Sequence, residues 1–159
     1  LFISVQEEIS MLILYIDLQN ERFKNTIEYQ ITIDPEINQS IQKIPSMIIQ
    51  PFVENAILHG LCTKPKGKKK LHIEMVKKEG LLYCIIEDTG IGREKSAEIN
   101  RSKNLNKKSL GIEITSERIA LFYKEKGENL RFNIDDLYEA NGTACGTRVE
   151  IIFDCLNAE

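Results

Sequence analysis

The sequence contains no tryptophan, two histidines and four prolines among its 159 residues. Its four cysteines stand at positions 62, 84, 145 and 155, and no two of them have C-x-x-C spacing. A structural zinc site or a dithiol redox centre therefore lacks ligands at the spacing it needs. Cys84 and Cys145 lie in or beside apolar runs, as expected of reduced, mostly buried thiols in a cytoplasmic protein. Long apolar runs are missing too. Met11 to Ile16 is the longest near the start, far short of the roughly 20 residues that span a bilayer, and no signal-peptide pattern is present. Positive charge is not in excess: the formal net charge is -3, which argues against a dedicated nucleic-acid binder. The one local basic stretch, 64-KPKGKKK-70, has no interleaved aromatics for base stacking and reads as a solvated hairpin loop.

What is present suits one globular domain. Hydrophobic residues make up 42% of the chain and charged residues 28%, an ordinary balance. The length allows one domain with a real core. The chain opens on Leu1 rather than methionine, as expected of a segment of a longer protein.

Ser4 and Glu7 form an S-x-x-E capping box, followed by Val5, Ile9, Ile13 and Ile16 at helical spacing. This predicts a helix from about Ser4 to Lys24. Residues 27–33 alternate as a strand that ends at Asp34-Pro35. Pro45 is suited to start a second helix, and Pro51 should kink that helix or mark its true first turn. Lys69 to Lys77 alternates, Glu79-Gly80 reads as a turn, and Leu81 to Ile86 is a continuous apolar run, together a β-hairpin. Arg93 to Lys108 has very few apolar side chains, as in a functional lid or a disordered segment. Ile112, Thr115, Ile119 and Phe122 mark a further helix; Leu130–Ile134 and Thr147–Phe153 are the last strands. The expected class is α/β (α+β): a two-layer sandwich of a mixed, largely antiparallel sheet and helices.

Several residues in this pattern carry chemistry. In 48-IIQPFVENAILHG-60, one helical half is apolar, while Asn55 and His59 lie one turn apart on its shoulder and Glu54 and Leu58 lie further round. Alone, this describes a helix edge at a solvent boundary. The segment 87-EDTGIG-92 follows directly on the apolar strand. Asp88 is then placed where a central strand emerges, and Gly90 and Gly92 let the backbone turn and approach a ligand closely. A carboxylate there can accept a hydrogen bond from an exocyclic amine such as that of adenine. Ser109-Leu110-Gly111 opens the next helix, whose free N–H groups suit an anion, with Lys107 and Lys108 just before it. The 142-GTACGTRVEI-151 segment is a turn into a strand.

Taken in order, these segments resemble the Bergerat ATP-binding fold shared by gyrase, histidine kinases and MutL. 51-PFVENAILHG-60 resembles its N box, 88-DTGIG-92 its G1 box, and Gly111 the last glycine of its G2 box. With 15-YIDLQNERF-23, 44-IPSMIIQPFVENAILHG-60 and 117-ERIALFY-123, the chain is similar to LytS-type sensor histidine kinases over nearly its whole length. The resemblance implies ATP and Mg²⁺ as cofactors. Asn55 would offer its amide oxygen to Mg²⁺ and Asp88 would read the adenine amine. Gly90 and Gly92 would shape the base pocket, Gly111 would admit the phosphates, and His59 and Thr147 would lie near the nucleotide. Glu54 would orient metal-bound water or the incoming group.

The pattern also departs from the family. The family often places a lysine where Leu58 stands, glycines where Lys107 and Ser109 stand, and asparagine where Ile114 stands. Lys107, Lys108 and Ser109 are accordingly expected to supply the phosphate contacts. A gyrase- or MutL-like ATPase would need a glutamate where Pro51 stands. An anti-sigma-factor-like serine kinase shares N-A-x-x-H but not the long first helix, and a degenerate nucleotide-binding regulatory module fits the altered G2 box. The resemblance further divides the chain into a connecting helix, residues 1–25, and an ATP-binding domain, residues 26–159, with a lid near 93–110. The phosphoacceptor histidine and dimerisation helices are expected upstream, in a homodimeric parent anchored in the inner membrane and paired with a response regulator. Neither His59 nor His72 has the setting of an acceptor, so this segment alone is expected not to autophosphorylate.

Overall fold

The structure, a computed structural model, describes residues 2–102, 117, 119–121, 123–124, 130–154 and 156–157. A short strand β1 (Phe2–Ser4) leads into helix α1 (Val5–Arg22). The capping box closes as expected: the Ser4 hydroxyl accepts from the Glu7 N–H, and the Glu7 carboxylate accepts from the Ser4 N–H at 2.7 Å. Val5, Ile9, Leu12 and Ile16 turn inward. Two residues in the left-handed region, Lys24 and Asn25, end the helix. The Asn20 side chain then pairs with both backbone groups of Ile27, at 3.0 Å each, and starts β2 (Ile27–Ile33).

Pro45 does not start a helix. It ends β3 (Gln42–Pro45), the middle strand of a small sheet ordered β1-β3-β8, with β8 at Leu156–Asn157. It sits opposite Phe2 at the strand's last position, where a missing N–H is tolerated. Helix α2 (Gln50–Asn55) begins five residues later with Pro51 in its first turn, the alternative role open to that proline. Its N-cap, Ile49, has no side-chain cap of its own. The cap comes from α1: the buried Glu8 carboxylate accepts from Met47 N–H at 2.9 Å and Ile49 N–H at 3.3 Å.

Past Asn55 the helix widens into a π-helical segment, Ala56–Leu61, seen in the Cys62 N–H donating to Ile57 O at 2.8 Å. The wider turn breaks the 100° phase on which the sequence reading rested. As a result Leu58, expected to point away from the apolar stripe, is half-buried and packs against the core.

The hairpin forms as β4 (Lys69–Lys78) and β5 (Leu81–Asp88), joined by Glu79 and Gly80, both at positive φ, as a two-residue type I′ turn requires. The main sheet is ordered β2-β4-β5-β7-β6, where β6 is Leu130–Tyr138 and β7 is Ala144–Asp154. Only the β2–β4 pair is parallel, so the sheet is mixed and largely antiparallel. One face of it carries Ile73, Met75, Leu82, Cys84, Ile86, Val149, Ile151 and Phe153, which share a core with α1, α2 and the π-helical segment. Phe52 stacks at a tilt on Phe132, with ring centroids 5.3 Å apart. Of the described cysteines, only Cys84 is fully buried; Cys62 and Cys145 are half-exposed, and all three are free thiols.

The polar stretch after Gly92 is not irregular throughout. Arg93–Ser102 forms helix α3, moored by a bidentate ion pair from Arg93 Nε and Nη2 to Asp136 on β6, both at 2.8 Å. Helical residues recur at Ile119, Ala120, Leu121, Tyr123 and Lys124, with Ile119 and Tyr123 against the core; Ile112, Thr115 and Phe122 of the expected helix lie outside the described residues. No helix among the described residues is long and apolar enough to cross a membrane.

Candidate functional site

Asp88 is the last residue of the central strand β5, level with Thr147 on β7 and Leu71 on β4. Its side chain is 5% exposed. Oδ1 accepts from the Gly90 N–H at 2.8 Å, and Oδ2 makes no hydrogen bond among the described residues. Burial pushes the Asp88 carboxyl up to about 7, against the opposing pull of the Gly90 N–H and the Lys64 ammonium. A carboxyl at that value is half ionised near neutrality and keeps acceptor capacity for a donor from outside.

Glycines make room for it. A Cβ on Gly90 would sit 2.5 Å from the Gly60 backbone and 2.6 Å from Asp88 Oδ1; one on Gly60 would sit 2.8 Å from the same oxygen. The Ile91 N–H donates to Gly60 O at 3.3 Å. The π-helical segment and the loop after β5 therefore touch backbone to backbone, with the carboxylate between them. On the other side, a Cβ on Gly146 would fall 1.8 Å from Asp88 O. Gly92 has φ +81° and faces Ala144. Of these four glycines, the sequence reading singled out Gly90 and Gly92. Gly60 was visible only as the end of an N box, and Gly146 only as part of a turn into a strand.

The other expected residues fall into three groups. Thr147 is buried beside Asp88. Glu54 and Asn55 are half-buried at the end of α2, one segment ahead of Gly60, and His59 is exposed; the Glu54 carboxylate lies beside the Tyr15 hydroxyl. Lys107, Lys108, Ser109 and Gly111 lie outside the described residues. Among the described residues there is no group of three or more His, Cys, Asp or Glu that could hold a metal ion.

Lys64 was missed. The basic stretch was expected to be solvated, and Lys66, Lys68 and Lys70 are exposed. Lys64 is instead half-buried: its Nζ donates to Thr89 O at 2.5 Å and Lys68 O at 3.1 Å. It ties down the loop that carries Thr89 and Gly90 and places a positive charge near Asp88. No periodicity marks it, because its role depends on where the π-helical segment delivers the chain.

The chain matches no family model. It is similar to the sensor histidine kinase YesM of Bacillus subtilis strain 168, 27% identical over 157 residues, which cover 98% of the chain and 24% of that protein. It is 31% identical to the sensor histidine kinase YpdA of Escherichia coli K12 over 125 residues, covering 77% of the chain and 21% of that protein. With the sensor protein LytS of Bacillus cereus it shares 27% identity over 130 residues, 79% of the chain and 22% of that protein. The chain spans a quarter or less of the length of each of these. Among solved structures it superposes on the mycobacterial sensor histidine kinase MprB with TM-score 0.62 at 15% identity, covering 99% of both chains. The catalytic domain of histidine kinase ThkA superposes with TM-score 0.60 at 12% identity, covering 98% of this chain and 95% of that one.

The fold is therefore that of a histidine-kinase catalytic domain. In sequence the chain is similar to a segment of sensor histidine kinases, LytS among them.

Proposed function

We propose that the chain binds ATP with Mg²⁺ between the π-helical segment, the loop after β5 and the start of β7. The reading is that, within a longer parent, it delivers the γ-phosphoryl group to a histidine on a separate dimerisation segment. That histidine would then supply a response regulator, and the parent would be a membrane-anchored homodimer. The observation that carries the nucleotide reading is Asp88: a buried carboxylate with a free acceptor oxygen, at the mouth of the central strand, in a cradle of glycines with no room for a Cβ. Such a group is costly to bury and has the right chemistry to accept from the adenine amine. Gly60, Gly90 and Gly146 shape its surroundings, and Thr147 lies next to it.

Asn55 would present its amide oxygen to Mg²⁺, which neutralises phosphate charge when bound. Glu54, beside it, would orient water or the incoming group, and His59 would lie at the solvent edge. Lys107, Lys108, Ser109 and Gly111 complete the proposed phosphate contacts. With little covalent chemistry for side chains to perform, the protein's part is positioning and electrostatic stabilisation.

Calorimetry with ATP and Mg²⁺ tests the reading. Asp88→Ala and Asn55→Ala should each weaken binding by roughly tenfold or more, as for loss of a hydrogen bond or ligand to a charged group. Unchanged affinity in both variants would place the site elsewhere. One observation favours a second reading, a module that binds nucleotide without transferring phosphate: Leu58 packs on the core where the family often offers a lysine. Autophosphorylation of the full-length parent separates the two.

A further inference from the structure

The basic stretch 64–70 is fastened to the loop after β5 through one residue, Thr89. The Thr89 N–H donates to Lys70 O at 3.0 Å. Its hydroxyl accepts from the Lys70 N–H at 2.9 Å and donates to Lys68 O at 3.1 Å. Its carbonyl accepts from Lys64 Nζ, which also donates to Lys68 O. Every polar group of Thr89 is thus engaged by residues 64–70.

The carbonyl bond matters most, because of what lies on the other side of the same peptide. Thr89 C=O and Gly90 N–H belong to one planar trans unit and point in opposite directions. The C=O meets Lys64; the N–H meets Asp88 Oδ1 at 2.8 Å. Turning this peptide over would break both bonds and present Asp88 with a carbonyl instead of a donor. A glycine at position 90 offers little steric resistance to such a turn. The Ile91 N–H bond to Gly60 O fixes the next peptide, not this one. An ammonium on the C=O also polarises the peptide and strengthens its N–H as a donor. Lys64 is in turn set by the end of the π-helical segment. Its N–H donates to Leu61 O at 3.2 Å, and the Thr63 hydroxyl before it donates to His59 O and Gly60 O.

We propose that Lys64 is a positioning residue for adenine recognition: by holding the Thr89–Gly90 peptide it keeps Asp88 Oδ1 occupied and leaves Oδ2 for the exocyclic amine. This rests on the ATP-binding reading above and adds a residue to it. Lys64 acts through the peptide and not on the nucleotide. Burial raises the Asp88 carboxyl, and the Gly90 N–H and the Lys64 ammonium both favour its ionised, accepting form.

The test compares, by calorimetry with Mg²⁺, the affinities for ATP and for purine riboside triphosphate, which lacks the exocyclic amine. The proteins are the unaltered chain, Lys64→Met and Lys66→Met. Lys66 is exposed, so its variant removes the same charge without removing the bond to Thr89. Both nucleotides are measured on the same folded molecules, so a loss of stability cancels in their ratio. The unaltered chain should prefer ATP roughly tenfold or more, the worth of a hydrogen bond to a charged group. In Lys64→Met that preference should fall about three- to tenfold, with affinity for purine riboside triphosphate nearly unchanged. Lys66→Met should keep the preference of the unaltered chain. Equal losses for both nucleotides in Lys64→Met, an unchanged preference there, or the same fall in Lys66→Met would overturn the proposal and leave the adenine reading standing. An unaltered chain that binds the two nucleotides equally, or binds neither, would remove the adenine reading and this inference with it.

Discussion

Asp88 couples its burial to its ionisation. Its carboxyl is raised by burial from an ordinary value near 3.8 to about 7. A group whose folded value is raised favours the folded state fully below its unfolded value and loses that contribution as pH rises through the folded value. The unaltered chain should therefore lose stability relative to Asp88→Asn as pH rises from about 5 to 8. Urea titrations of both at several pH values measure the gap; a gap that does not change with pH would mean that Asp88 ionises as an ordinary surface carboxylate. The glycines around it give a second test. Gly146 at φ +149° has Asp88 O where a Cβ would go, whereas Gly142 at φ +82° has nothing within 4 Å. Gly142→Ala carries only the backbone strain and should cost about 1 kcal/mol. Gly146→Ala must also move β5 or β7 and should cost about 3 kcal/mol or more, read in the same denaturant titrations. Asp88, Gly90 and Gly92 were legible in sequence because a D-x-G-x-G run after an apolar strand has few other uses. Lys64 was not, because its partner is a backbone carbonyl 25 residues away in the chain.

At the scale of elements, the helix that carries Glu54 and Asn55 is short, uncapped by its own residues and preceded by Met47 in the left-handed region. Glu8 of α1 supplies what α2 lacks. Burial raises its carboxyl, against the Met47, Ile49 and Ile48 N–H groups that favour its ionised form. Glu8→Ala would leave those donors buried and unpaired and should cost about 2–3 kcal/mol. Hydrogen exchange should accelerate first in residues 47–55, ahead of the central strands. Uniform acceleration across the sheet would mean that the cap is merely part of the global core. Sequence periodicity found α1 and its capping box, since Ser4 and Glu7 are local in the chain. It could not find the Glu8 cap, which joins residues about 40 apart, nor the π-helical segment, whose wider turn leaves no mark in composition and moves Leu58 onto the core. Pro45 misled for a similar reason: its place was decided by pairing with Phe2, not by its own preference for a first helical turn.

At the scale of the whole molecule, β5 lies at the centre of the main sheet, with the α1–α2 layer packed on one face. The candidate site lies where the end of that strand meets the π-helical segment. The apolar alternation in β4 and the apolar run of β5 made the hairpin and the two-layer class readable. The small β1-β3-β8 sheet was not, since its strands are two to four residues long, too short for alternation to register. The central claim is that Asp88 reads an adenine amine. Accepting from that amine favours the ionised form of a carboxyl near 7, which links nucleotide binding to proton release. Calorimetry of ATP–Mg²⁺ binding at pH 7 in two buffers of different ionisation enthalpy measures the protons exchanged. The account predicts saturable binding with net release of a fraction of a proton that disappears in Asp88→Asn. No binding at millimolar ATP, or binding whose proton release is the same in Asp88→Asn, would contradict it.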